Sequence, residues 1–101
     1  MARHVDCART QDLGYCAVLR GVTNLRDEPV TLQGFAFGAH SWTDLVRDVP
    51  PGSQASWWRG GLWLPSTTLL RTVRASEPSE VLQQNGVVGS GLTAIVWPVS
   101  S

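Results

Sequence analysis

Lysine is missing from this chain, so its eight cations are all arginines, and they are balanced by eight acidic residues. No basic field is present to gather a phosphate backbone, which disfavours nucleic acid as a partner. Charge of either sign is scarce, at 16% of 101 residues. A polar surface must then be built from Ser, Thr, Gln, Asn and Gly, or part of the surface is covered by a partner. Long apolar runs are absent as well. Nothing approaches the roughly 18 successive apolar residues of a transmembrane helix. Met1-Ala2-Arg3-His4-Val5-Asp6 carries no apolar stretch of signal-peptide length. The expectation is a chain made in the cytoplasm, without a transmembrane segment, and free to be incorporated into a particle. Cysteine is limited to Cys7 and Cys16, a spacing that fits neither a zinc knuckle nor a Cys-x-x-Cys redox pair. Two neighbouring strands could join them, but the preferred expectation is a pair of small buried thiols.

What remains is apolar enough to fold, since 43% of the residues are hydrophobic, and the length suits one domain over residues 1–101. Short apolar segments separated by turn residues predict a mainly β chain, arranged as a small antiparallel sandwich or partly open barrel with at most one short helix. Val5 to Arg9 and Tyr15 to Val22 flank a turn around Asp12 and Gly14 and read as a hairpin, the second segment being central. Val30 to Phe37 is the clearest strand. Its apolar parity changes at Gly34, where either a β-bulge restores one face or both faces are buried. Gly38 to Asp48 reads as irregular, anchored by Trp42, Leu45 and Val46. Val49-Pro50-Pro51-Gly52-Ser53 is a type II turn signal.

Gln54 to Trp58 and Leu62 to Pro65 follow as strands broken by Gly60-Gly61. Thr67 to Ala75 is rich in β-branched residues and favours a strand. Residues 77–85 read as either a short helix begun by Ser76-Glu77-Pro78 or a hairpin turning at Asn85-Gly86. Gly91 to Trp97 closes the chain as a strand stopped by Pro98.

The chemistry-bearing residues are sparse. His40 beside Ser41 and near Asp44 is the best set for a small hydrolase, but adjacent side chains on an extended chain point apart and no nucleophile elbow is present. His4, Cys7, Cys16 and His40 are suitable zinc ligands by type, not by spacing. Asp27, Glu28, Asp44 and Asp48 fall in turns, where solvated carboxylates are expected. The glycines from Gly86 to Gly91 lack the Lys of a phosphate loop. No catalytic residue, metal or cofactor is therefore expected.

Tryptophan is the one abundance, with five in the chain. Trp57 and Trp58 are adjacent, so on a strand they face opposite sides, and one of them is left for a second layer or a partner. A contact surface of Trp57, Trp58, Arg59, Trp63 and Trp42 is the expectation, because Trp joins a large apolar area to one hydrogen-bond donor. The leading functional expectation is a non-enzymatic structural or assembly subunit, for example a small virion component, that contacts copies of itself or other protein subunits. A binding module for sugar rings or lipid headgroups using the same tryptophans is the alternative.

Overall fold

The computed structural model describes residues 15–36, 38–56 and 61–98, together with Cys7, and for residues 55 and 56 the backbone alone. Nine strands are present among them: β1 (Cys16–Leu19), β2 (Gly21–Asn24), β3 (Val30–Phe35), β4 (Thr43–Val49), β5 (Gln54–Ser56), β6 (Leu62–Pro65), β7 (Leu69–Arg74), β8 (Glu77–Val87) and β9 (Ala94–Trp97). The mainly β reading is correct. A single 3-10 turn, Val88–Ser90, is the one helical element longer than a residue among the described residues.

Two layers share a core. One is the four-stranded antiparallel sheet β4-β3-β7-β8. The other is built from β1 paired with β6 and from β5-β2-β9, in which β9 runs parallel to β2. Leu19, Val22, Ile95 and Trp97 from the second layer meet Val30, Leu32, Val49 and Leu70 from the first. No sheet closes on itself among the described residues, so the arrangement is a sandwich or open barrel.

The second layer turns on Arg20. Leu19 and Val22 are both core residues, but they are three apart, an odd spacing that a regular strand cannot put on one face. The chain resolves this by breaking between β1 and β2, where the Arg20 N–H leaves the ladder to donate to the Thr93 carbonyl at 2.7 Å. The single strand expected from Tyr15 to Val22 is thus two strands with different partners. Its expected hairpin mate is not formed at Cys7, whose backbone is helical. The rest of Val5 to Arg9 lies outside the described residues.

In the first layer, β3 runs unbroken against β7 from Val30↔Arg74 to Phe35↔Leu69, so no bulge sits at Gly34. Both faces of β3 are buried instead. The extra residues belong to β4, whose register slips against β3 on either side of the Leu32↔Val46 pair. One slip is accommodated by Asp48, at φ 52°, a conformation that Asp tolerates better than most residues. Its N–H donates to Thr31 Oγ1 at 3.2 Å. Of the segment Gly38 to Asp48 expected to be irregular, residues 38–42 are so, while Thr43 onward is a bulged edge strand. Gly34 lets side chains pack closely on β3: a Cβ there would stand 2.8 Å from Leu45 Cδ1 and 3.2 Å from Thr68 Cγ2.

Residues 77–85 are neither helix nor hairpin. They belong to β8, and the hairpin turn lies earlier, at Ala75-Ser76. A helix would need an apolar stripe at three- and four-residue spacing, and Val81 and Leu82 are adjacent. Asn85-Gly86 makes a bulge: Gly86 takes φ 90°, and Asn85 accepts a bond from the Thr72 hydroxyl at 2.7 Å. The Pro-Pro-Gly turn is as expected, with Gly52 at φ 71° and the Ser53 N–H reaching the Pro50 carbonyl at 3.3 Å.

The cysteines correct the thiol expectation. Cys7 and Cys16 form a disulfide with Cα atoms 5.6 Å apart, and both are buried.

Candidate functional site

Residues paired across a ladder share a face, and successive residues alternate between faces. Since Leu19, Leu62, Ala17 and Leu64 belong to the core or pack on it, the pairs Val18↔Trp63 and Cys16↔Pro65 point away from it. Likewise Val22, Ile95 and Trp97 point inward, so Gly21↔Ala94 and Thr23↔Val96 point outward, with Gln54 opposite Thr23. No charged residue occupies any of these outward positions. Val96 is 53% exposed, and Ala94 on the same face is exposed as well. The Cys16 end is closed by Cys7, while Val18 and Trp63 are half-buried.

Trp63 sits here because Gly61 brings β6 against β1. Gly61 has φ 105°, and a Cβ on it would stand 2.5 Å from Val18 Cγ2 and 2.8 Å from the Leu19 carbonyl oxygen, so no other residue fits without displacing β1. The indole N–H of Trp63 is buried without a hydrogen-bond partner among the described residues, a cost of about 1–3 kcal/mol for a lone donor. Trp57, Trp58 and Arg59 lie outside the described residues. They connect β5 to β6, the strands that pair with β2 and β1.

Trp42 is on the other side of the molecule. It precedes β4 and rests on the outward face of the four-stranded sheet, 5.4 Å between ring centroids from Phe35 and with the Arg71 guanidinium 4.1 Å above its ring. A polar row runs beneath it. Arg71 Nε donates to Gln33 Oε1 at 2.8 Å, Gln33 Nε2 donates to Asp44 Oδ1 at 2.8 Å, and Arg47 Nε donates to Asp44 Oδ2 at 2.9 Å. Trp42 and Trp63 thus stand on opposite outer faces and cannot serve one flat contact. Trp97 serves neither, since it is 1% exposed and its indole N–H donates to Thr72 Oγ1.

No known protein family, curated protein or solved structure matches this chain.

The residues considered for chemistry are dispersed or already engaged. Asp44 is bound by Gln33 and Arg47, and no hydrogen bond joins it to His40 or Ser41 among the described residues. Glu28 is held by Arg26 at 3.1 Å and by Arg74 at 2.7 Å, and Arg74 also reaches Glu80 at 3.2 Å. The disulfide leaves neither Cys7 nor Cys16 a thiolate to offer a metal, and no group of three His, Cys, Asp or Glu comes together among the described residues.

The open surface missed in the sequence is Ala94, Val96, Thr23 and Gln54. The signal was available in part, because Gly91 to Trp97 and Gly21 to Asn24 are uncharged at every position. Their pairing was not.

Proposed function

We propose that this chain is a non-enzymatic assembly subunit, a component of a larger particle such as a virion, joined to copies of itself or to other protein subunits. The uncharged outer face of the β6-β1 and β5-β2-β9 layer is the contact surface. The observation that carries this reading is the absence of charge from the described outward positions paired in the ladders of that layer, where Val96 is open to solvent and the exposed Arg20 lies in the break between β1 and β2. The cores of protein interfaces are depleted of charge and enriched in Trp, and this face holds Trp63. The disulfide supports the same setting, because such bonds persist at the surfaces of virions and other oxidising environments and are rare in a reducing cytosol.

Sedimentation velocity over a wide concentration range tests the reading. The average sedimentation coefficient should rise with concentration, and Thr23→Lys, which sets a charge in the open part of the face, should suppress the rise. A chain that stays monomeric at its solubility limit refutes it.

A further inference from the structure

Four strands end the two larger sheets: β4, β8, β5 and β9. Unpaired edges invite pairing with another chain, and proteins guard them with bulges, charge, proline or brevity. β4 is bulged on both sides of Val46 and carries Asp44, Arg47 and Asp48. β8 slips register against β7 three times and carries Pro78, Glu77 and Glu80. β5 has only three residues. β9 has none of the guards except brevity: it runs beside β2 without a register shift from Gly21↔Ala94 to Asn24↔Trp97, and Ala-Ile-Val-Trp holds no charge and no proline.

Its second edge, unpaired among the described residues, can be specified atom by atom. In a parallel ladder alternate residues turn both N–H and C=O toward the same neighbour. The Trp97 carbonyl accepts from the Leu25 N–H at 2.9 Å and the Thr93 carbonyl from Arg20, so Thr93, Ile95 and Trp97 face β2. Ala94 and Val96 therefore present their N–H and C=O groups to the open side. Pro98 follows on the same parity but has no N–H to give, which limits the usable edge to Ala94 through Val96.

We infer that β9 pairs antiparallel with β9 of a second copy about a two-fold axis at Ile95, which makes one sheet in the order β5-β2-β9-β9-β2-β5. In that register Ala94 exchanges both backbone bonds with Val96 of the second copy, and Val96 exchanges both with its Ala94. All outward N–H and C=O groups of the stretch are then satisfied by one isologous contact. The side chains also match. Val96 lies beside the small Ala94 of the second copy on the outer face, which covers apolar surface now 53% exposed. No like charges oppose one another, since the strand has none. So short an edge buries less than the roughly 800 Å² per partner of a standard interface, so the pair is weak alone and draws on the uncharged outer faces that it makes continuous. This inference rests on the assembly reading and names the partner as this same chain.

Val96→Pro removes the outward N–H while sparing the bonds of Ile95 and Trp97 to β2. It should weaken self-association about tenfold or more, the loss of one backbone bond from each side of the two-fold. Val81→Lys, on β8, should leave self-association unchanged. Amide hydrogen exchange on the unaltered chain gives a second readout, needed if Val96→Pro fails to fold. Exchange at Ala94 and Val96 should slow as concentration rises, whereas Ile95 and Trp97 are slow throughout. Association that persists in Val96→Pro, or exchange at Ala94 and Val96 that is independent of concentration while the chain associates, overturns β9 pairing and leaves assembly through the outer face standing. A chain that never associates overturns both.

Discussion

Asn24 is the residue whose replacement should cost this fold most for its size. Its side chain is completely buried and knits three segments together. Nδ2 donates to the Glu28 carbonyl at 2.9 Å and to the Val49 carbonyl at 2.9 Å, with Pro50 O at 3.3 Å, while Oδ1 accepts from the Arg26 N–H at 2.9 Å. The end of β2, the turn after it and the end of β4 are thereby held in one place. Asn24→Ala removes three well-formed bonds, each worth about 1 kcal/mol net, and leaves buried backbone groups short of partners, so the expected loss is roughly 3–5 kcal/mol. That is a large part of the roughly 5–15 kcal/mol that stabilises an ordinary domain. Asn24→Asp is the sharper perturbation because it keeps the shape and the acceptor for Arg26. It replaces the donor by a carboxylate oxygen facing two carbonyl oxygens, in a place with no solvent to relieve it, and should cost at least as much as Ala. Urea unfolding followed by tryptophan fluorescence at neutral pH measures both variants. An Asn24→Asp chain within about 0.5 kcal/mol of the original, the range of an ordinary surface change, would show that the amide donors do not hold these segments.

Two further outcomes follow from other buried contacts. Thr72→Val keeps the volume but removes the hydroxyl that accepts from the Trp97 indole and donates to Asn85. It should lose about 2–3 kcal/mol in the same unfolding measurement, and Thr72→Ser should recover most of it, whereas equal stability of the Val and Ser variants would mean that the hydroxyl contributes only bulk. Reducing the Cys7–Cys16 bond, whose cysteines are nine positions apart, should lower stability by about 2–3 kcal/mol on the chain-entropy model for so short a loop. Unfolding curves that coincide with and without reductant would remove the disulfide from the account of stability.

The readable part of this chain was its local chemistry. Pro51 and Gly52 set their turn because their own dihedral preferences decide it. Leu69 to Arg74 forms a strand, as its β-branched residues favour, and the last strand ends at Trp97, just before Pro98. The composition also bounded what the surface could be, since a chain so short of charge has little with which to cover every face. Both Leu19 and Val22 were legible as apolar, but not the break at Arg20 that puts them on one face, because that break is fixed by a carbonyl at Thr93, far along the chain. Asn85-Gly86 carried a true signal of positive φ, yet whether such a pair turns the chain or bulges it depends on Thr72 lying opposite. The five tryptophans were visible at once, but the division that sends Trp97 to the core and Trp42 and Trp63 to opposite faces was not.

Composition, the Pro51-Gly52 turn and the β class were thus determined by the sequence alone, because each follows from the conformational or solvation preference of single residues and their immediate neighbours. Strand order, the parallel placing of β9 beside β2, the bulged and unbulged edges and the joining of Cys7 to Cys16 were decided only in the tertiary structure. Each is a relation between residues distant in the chain, and short apolar runs select neither a partner nor a register until the whole core closes around them.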